Sequence, residues 1–152
     1  MALSGKVESE VEIQAPAAKF YNFYRKQLEH LPNISAHIHG ARVHEGDWGT
    51  VGSVKQWEYT IDGKKLSAAV KIESIDDDNK AITYLFDEEL RENYKSLKGI
   101  IQVIDKEHGG GIVKWTFEYE KLKDDITGAS PDSYLDVAIK IANEIDAHLV
   151  KE

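Results

Sequence analysis

The sequence has a middle section rich in predicted strands, with predicted helices on either side, and this arrangement restricts the possible folds. In the middle section, successive runs alternate between apolar and polar residues, which is the two-residue period of strands with one buried face. Turn sequences separate the runs, including Asp62-Gly63, a typical two-residue hairpin, and no helical pattern falls between them. We therefore predict an antiparallel sheet of six or seven strands that packs against helices.

Two short helices are predicted directly after the first strand, which runs from Lys6 to Gln14. Pro16 suits a first helical turn, and Pro32 with Asn33 is predicted to break the second helix. A stripe of apolar side chains at helical spacing continues through both helices and consists of Phe20, Phe23, Tyr24, Leu28, Leu31 and Ile34. We expect this stripe to be buried.

The chain closes with a long predicted helix, from about Ser130 to Val150. Ser130 is a suitable N-cap, and Pro131 follows at the first helical position. The predicted buried stripe of this helix consists of Tyr134, Ala138, Ile141 and Ile145. Continuing the spacing predicts His148 as the next inward position, with Leu149 as the neighbouring candidate.

The predicted inward faces of the strands are unusually aromatic, because they carry Trp57, Tyr59, Tyr84, Phe86, Trp115, Phe117 and Tyr119. Such a surface fits either a solid core or the wall of a cavity. A single long helix leaves part of a concave sheet uncovered, and this favours a cavity of about 300 to 1,000 Å³ for a small apolar molecule. The residues predicted to bind the ligand are Phe20, Phe23, Trp57, Tyr59, Val70, Tyr84, Phe86, Leu97, Ile101, Trp115, Phe117, Tyr134, Ala138, Ile141, Ile145 and His148.

Four of these residues are predicted to contribute polar groups. Tyr59, Tyr84 and Trp115 would each present an apolar ring with a polar tip for one oriented hydrogen bond. His148, at the end of the last helix, could bind an acidic head group of the ligand, and ordinary packing is the alternative for this residue.

The composition is that of one globular domain covering residues 1–152. A net charge of -8 disfavours binding to nucleic acid or to anionic membranes, and the lack of cysteine excludes disulfides and thiolate chemistry. No apolar run approaches the roughly 18 residues of a membrane span, and no signal-peptide pattern is visible. We expect a cytosolic monomer without a cofactor and without integral membrane contact.

Two features suggest other chemistry, and each has a simpler explanation. The segment from Gly46 to Ser53 is rich in glycine, but it lacks the Gly-Lys-Ser/Thr ending of a phosphate loop and a strand follows it, so a tight hairpin is favoured. The histidines that are close in sequence are His30, His37, His39 and His44. Zinc would need a third and a fourth ligand, which nothing supplies convincingly, so a solvated strand face is favoured.

Six stretches spread along the chain carry a family resemblance. They are Leu31-Pro32-Asn33-Ile34, His44-Glu45-Gly46-Asp47-Trp48, Gly52-Ser53-Val54-Lys55-Gln56-Trp57, Tyr94-Lys95-Ser96-Leu97-Lys98, Glu118-Tyr119-Glu120-Lys121-Leu122 and Asp146-Ala147-His148-Leu149. On these stretches the sequence resembles the major latex protein branch of the plant birch-pollen-allergen (Bet v 1) superfamily, which is START-like. The resemblance implies an α+β helix-grip fold: a curved seven-stranded antiparallel sheet around a long C-terminal helix, with two short helices in a V. It also implies a hydrophobic cavity and roles in ligand binding, defence and stress response.

The sequence departs from the family pattern at Glu88-Glu89-Leu90, where the family often has a Glu-Gly-Asp turn. Trp48 also intrudes into the glycine-rich loop of the wider superfamily. Some members of that superfamily are enzymes that use a cavity lysine with carboxylates. Lys55 lies two residues before Trp57 on the same predicted strand, so its side chain could point inward as well, but no carboxylate clearly enters the cavity beside it.

The predicted function is therefore a non-catalytic carrier of a lipid, sterol, flavonoid or hormone. The alternatives are an enzyme acting on a hydrophobic secondary metabolite, and a storage or interaction protein without a ligand.

Overall fold

The protein was analysed as a computed structural model that describes residues 3–87 and 93–151. The elements are β1 (Ser4–Ile13), α1 (Ala17–Lys26), a 3₁₀ helix (Leu28–Asn33), β2 (Ile38–Glu45), β3 (Val54–Ile61), β4 (Lys64–Asp76), β5 (Ala81–Asp87), β6 (Tyr94–Asp105), β7 (Gly111–Lys121) and α2 (Pro131–Val150). Glu88-Glu89-Leu90, where the sequence departs from the family's Glu-Gly-Asp turn, lies outside the described residues. Within them, no helix is both long and apolar enough to cross a membrane.

All seven strands form one antiparallel sheet in the order β1-β7-β6-β5-β4-β3-β2. The predicted hairpin at Asp62-Gly63 is confirmed: Ile61 pairs with Lys64, and φ is 54° at Asp62 and 77° at Gly63. Positive φ at both central residues is the turn geometry that matches the natural twist of two paired strands. The pairing of neighbouring strands along the whole sheet confirms the predicted succession of strands and their antiparallel arrangement.

The sheet is curved, and irregular pairing shows where its strands bend. The register shifts between Ile38 and Gly40 in β2, between Ile72 and Ser74 in β4, and near Tyr94 at the start of β6. An extra residue in one strand bends that strand and increases its twist. The concave face is covered by α2, which packs against β1, β7 and β3, and by α1, which packs against β6.

The long helix begins as predicted. The Ser130 hydroxyl oxygen accepts a hydrogen bond from the Ser133 backbone N–H at 3.1 Å, and Pro131 occupies the first helical position. Pro16 lies one position before α1 instead of in its first turn, and Pro32 lies inside the 3₁₀ helix, which ends at Asn33.

The carboxylate of Glu144 on α2 holds the segment that follows the 3₁₀ helix. It accepts hydrogen bonds from the Ser35 hydroxyl at 2.5 Å and the Ala36 backbone N–H at 2.8 Å, and it lies 3.2 Å from His37 Nδ1. Burial favours the protonated carboxyl, but these hydrogen bonds outweigh it and lower the pKa of Glu144. The ionised carboxylate therefore ties the short helices to α2.

Candidate ligand-binding cavity

An apolar cavity of about 120 Å³ lies between the concave face of the sheet, α2 and the short helices. Its wall residues are Tyr24, Leu28, Leu31, Ile38, Trp57, Tyr59, Ile61, Val70, Tyr84, Phe86, Trp115, Phe117, Tyr134, Val137, Ala138 and Ile141. Every one of these side chains is apolar or aromatic. The sequence therefore places an almost purely hydrophobic surface inside the fold.

The cavity is smaller than the predicted 300 to 1,000 Å³ because aromatic rings fill much of the concave space. The ring of Trp115 stacks on Phe117 with centroids 5.6 Å apart, and Tyr134 reaches across from α2 to within 5.6 Å of Phe86 and 6.1 Å of Phe117. The aromatic faces of the strands were interpreted either as a solid core or as the wall of a cavity, and each interpretation is partly correct. The interior holds a packed aromatic cluster and a cavity beside it.

Ten of the residues predicted to bind a ligand lie on the wall. They are Trp57, Tyr59, Val70, Tyr84, Phe86, Trp115, Phe117, Tyr134, Ala138 and Ile141. Seven of them are strand residues, and they share one face because successive side chains of a strand point to opposite faces. The structure brings them together with three residues of α2.

Five other predicted residues are buried but lie off the wall. They are Phe20, Phe23, Leu97, Ile101 and Ile145. The first four belong to α1 and β6, two elements that pack against each other. Phe20 and Ile101 have no exposed surface at all.

His148 does not lie on the inward face where the helical spacing predicted it. This residue is exposed and is absent from the wall, whereas its neighbour Leu149 is buried. The buried face of α2 also includes Leu135 and Ala142, so its centre is displaced towards Leu149. The structure therefore gives no support to an acidic head group held by His148.

Six wall residues were not among the predicted ligand-binding residues. They are Tyr24, Leu28, Leu31, Ile38, Ile61 and Val137. Ile61 could have been found, since it shares the parity of Trp57 and Tyr59 on β3. The three from the short helices belong to the predicted apolar stripe, but the stripe alone does not show which of its members face the cavity. We find no sequence signal for Val137.

The polar tips of the wall residues differ in their partners. The hydroxyls of Tyr59 and Tyr134 are 2.8 Å apart and form a buried hydrogen bond. The Tyr84 hydroxyl is buried with no hydrogen-bond partner among the described residues, and the buried Tyr24 hydroxyl and Trp115 indole N–H interact only with each other, outside good hydrogen-bond geometry. Burial raises the pKa of the Tyr24, Tyr84 and Tyr134 hydroxyls, so these groups stay protonated at neutral pH.

Lys55 is buried, as its parity predicted, but its ammonium group binds the glycine-rich loop and is not part of the wall. Its Nζ donates to the backbone carbonyls of Trp48 at 3.0 Å and Asp47 at 3.4 Å, and it lies 5.7 Å from the centre of the Trp48 ring. Desolvation lowers the pKa of Lys55 to about 8, while the carboxylates of Asp47 and Glu29 act in the opposite direction. The lysine therefore connects β3 to the loop.

The glycine-rich loop has the tight structure expected from its sequence. The Asp47 carboxylate accepts hydrogen bonds from the backbone N–H groups of Gly49 and Thr50 at 2.9 and 2.8 Å. The carbonyl of Gly49 in turn accepts a hydrogen bond from Arg25 of α1 at 2.9 Å. Because a carboxylate of the protein already uses two N–H donors of the loop, these donors are not available to a phosphate.

The histidines near the second strand have partners within the protein. His37 contacts Glu144, and His39 Nε2 lies 2.5 Å from the Thr60 hydroxyl. Across the described ranges, no three histidine, aspartate or glutamate side chains are grouped in a way that could hold a metal ion.

We expect the free energy of unfolding to rise by on the order of 1 kcal/mol per pH unit between about pH 8 and 9. Folding lowers the pKa of Lys55 to about 8, so in this range the unfolded chain binds more protons than the folded protein and stability increases with pH. The measurement is urea unfolding at a series of pH values up to about 9, because above that pH the tyrosines of the unfolded chain begin to ionise and the buried tyrosines of the folded protein do not, which lowers stability.

The variant Lys55→Met should remove most of this rise. Lys71→Met, at an exposed lysine of the neighbouring strand β4, serves as the matched control and should retain it. An equal slope in the wild type and in Lys55→Met would show that Lys55 is not the group responsible.

A curved antiparallel sheet wrapped around a long C-terminal helix, with an apolar cavity between them, defines the helix-grip fold. A model of the "Pathogenesis-related protein Bet v 1 family" matches residues 2–152, and the chain belongs to this family. It is 39% identical to MLP-like protein 43 of Arabidopsis thaliana, over 99% of this chain and 96% of that protein. It is 35% identical to major latex protein 146 of Papaver somniferum, over 97% of this chain and 92% of that protein. The resemblance to major latex proteins is thereby confirmed.

Solved structures support the same fold. The crystal structure of ginseng major latex-like protein 151 from Panax ginseng matches with a TM-score of 0.88 and 35% identity, covering 97% of this chain and 98% of the other. Norcoclaurine synthase from Thalictrum flavum, solved in complex with dopamine and hydroxybenzaldehyde, matches with a TM-score of 0.82 at 17% identity, covering 98% of this chain and 88% of the other. At that identity the likeness concerns the fold alone.

Proposed function

We propose that this protein binds a small hydrophobic molecule in its internal cavity and carries it without transforming it. The observation that supports this most strongly is the wall itself, which consists of 16 apolar or aromatic side chains and no charged ones. Apolar ligands gain free energy from such a surface because they leave water on binding. Membership of the Bet v 1 family is consistent with the proposal.

The volume of about 120 Å³ favours a compact ligand over a sterol or a long-chain lipid. In another protein, an apolar cavity of about 150 Å³ binds benzene or xenon. Of the ligand classes predicted from the sequence, small ring compounds such as plant phenolics and hormones therefore fit best. A role in defence or stress, which the family resemblance implies, and a cytosolic site of action complete the proposal.

The proposal is tested by calorimetric titration of the protein with small aromatic compounds, fatty acids and sterols. We expect one small aromatic molecule to bind per protein, at lower concentration than any fatty acid or sterol. Denatured protein at the same concentration controls for surface binding. Absence of stoichiometric binding by every compound would exclude the carrier function.

An enzyme of the same fold is the second candidate, and one observation favours it. Lys55 is buried, its pKa is lowered to about 8, and the charges of Asp47 and Glu29 act on it. Such a lysine resembles an activated amine in an active site. However, its Nζ is already bound to two backbone carbonyls, and the residue does not contribute to the cavity wall. The arrangement therefore supports a structural role for Lys55, and a binding protein remains the better proposal.

A further inference from the structure

The cavity wall has a border where a short helix meets the long one. Leu28 and Leu31 of the 3₁₀ helix lie on one side of it, and Ala138 and Ile141 of α2 lie on the other. Most of the remaining wall is formed by strands that are hydrogen-bonded to one another. The backbone of the 3₁₀ helix packs on β2 and α1, with less contact to α2. The border between the two helices is therefore closed mainly by side chains.

The side chain of Glu144 on α2 bridges this border. Its carboxylate accepts hydrogen bonds from the Ser35 hydroxyl at 2.5 Å and the Ala36 backbone N–H at 2.8 Å, and it lies 3.2 Å from His37 Nδ1. These three partners belong to residues 34–37, the segment that connects the 3₁₀ helix to β2. One carboxylate therefore fastens the whole segment to α2.

The segment 34–37 lies next to the cavity wall. Leu31 precedes it and Ile38 follows it, and both are wall residues. On the other side of the border, Glu144 follows the wall residue Ile141 by less than one helical turn. Movement of the segment away from α2 would therefore open a passage at the edge of the cavity.

The contacts that hold the segment are polar and close to solvent, so they can open without unfolding the core. The side chains of Glu144 and His37 are 24% and 28% exposed. Ile34, the one large apolar residue of the segment, is only partly buried. Water can therefore replace the hydrogen bonds of the carboxylate, and opening gives up little apolar contact.

We propose that the segment 34–37 is the entrance of the cavity, and that the Glu144 carboxylate holds this entrance closed between binding events. The ligand enters and leaves when the hydrogen bonds to Ser35 and Ala36 break. This inference rests on the proposed carrier function, since it names the route by which the same cavity is filled and emptied.

The test follows iodobenzene entering and leaving the protein by stopped-flow fluorescence. Trp57 and Trp115 lie on the wall, and the heavy iodine atom quenches indole fluorescence on binding. Excess isopropylbenzene, which carries no heavy atom, displaces the ligand and gives the dissociation rate. The variants are Glu144→Gln, which removes the charge of the carboxylate, and Ser35→Ala, which removes one of its donors.

The matched control is Asp146→Asn. Asp146 lies on the same helix, and its carboxylate likewise accepts hydrogen bonds from backbone N–H groups, of Gln14 at 3.0 Å and of Ala15 at 2.9 Å. These partners precede α1 and lie off the cavity wall. The control should therefore leave both rates within about twofold of the wild type.

We expect Glu144→Gln to raise the association and dissociation rates of iodobenzene by at least about tenfold, because hydrogen bonds to a charged group are lost. Ser35→Ala should give a smaller rise in both rates. Since neither residue lies on the wall, the Kd should stay within about twofold of the wild type.

The double variant Ser35→Cys/Glu144→Cys tests the same entrance in the opposite direction. The chain contains no other cysteine, so within one molecule a short bifunctional thiol reagent can join only these two positions. Cross-linking should slow both rates to below those of the wild type. Reduction of the cross-link should then give rates above those of the wild type.

The inference is overturned if iodobenzene binds with the same rates in the wild type, Glu144→Gln and the cross-linked protein, or if Asp146→Asn raises the rates as much as Glu144→Gln. In both cases the carrier function stands and the ligand uses another route. If calorimetry shows that the wild type binds neither iodobenzene nor isopropylbenzene, the carrier function itself fails.

Discussion

Replacing Phe20 with alanine is expected to lower the free energy of unfolding by about 3 to 5 kcal/mol. Phe20 has no exposed surface, its ring centre lies 5.6 Å from that of Tyr24, and α1 packs through this face on β6. Removing the ring leaves a void that the surrounding sheet and helix cannot fill completely, so lost burial and lost packing add to each other.

Urea unfolding of Phe20→Ala measures this loss, with Asn22→Ala on the exposed side of α1 as the control. The control should change stability by no more than about 0.5 kcal/mol. Because Phe20 lies off the cavity wall, the folded variant should bind ligands as the wild type does. A destabilisation below about 1 kcal/mol would contradict the packing of α1 on the sheet.

Replacing Ala138 with leucine is expected to weaken binding of small aromatic ligands by at least about tenfold. Ala138 lies on α2 with its methyl group on the wall, and three further carbon atoms enter a cavity of about 120 Å³. The ligand and the new side chain then compete for the same space. Since the added atoms fill a void, the free energy of unfolding should stay within about 1 kcal/mol of the wild type or increase.

Calorimetric titration of Ala138→Leu with isopropylbenzene measures the effect. Ala147→Leu, the same substitution at an exposed position of the same helix, is the control and should bind like the wild type. Unchanged affinity in a folded Ala138→Leu protein would place the binding site somewhere other than this cavity.

Most of the strand part of the wall and three residues of α2 could be predicted from the sequence, whereas the part contributed by the short helices could not. On β3, the alternation of Trp57 and Tyr59 with polar residues decides which side chains point inward, because a strand has only two faces. A helix presents a broad apolar stripe, and the packing of whole elements decides which members of it reach the cavity. Phe20 therefore lies against β6, while Tyr24, one turn later, reaches the wall.

The size of the cavity and the roles of Lys55 and His148 needed the three-dimensional structure. The volume depends on how far the rings of Trp115, Phe117 and Tyr134 approach one another, which residue identity does not determine. The parity of Lys55 correctly predicted that it is buried, but only the path of the glycine-rich loop shows what its ammonium group binds. For His148, the rotation of α2 about its own axis decides whether the side chain faces the sheet or the solvent.

The central claim is that the apolar cavity between α2 and the sheet takes up a hydrophobic molecule. The most direct measurement is the crystal structure of the wild-type protein soaked with iodobenzene, in which anomalous scattering locates the iodine atom. The account predicts a single strong peak inside the cavity, between Ala138 of α2 and Trp115 of β7. A peak only at the protein surface, or a cavity that stays closed and empty at saturating iodobenzene, would contradict it.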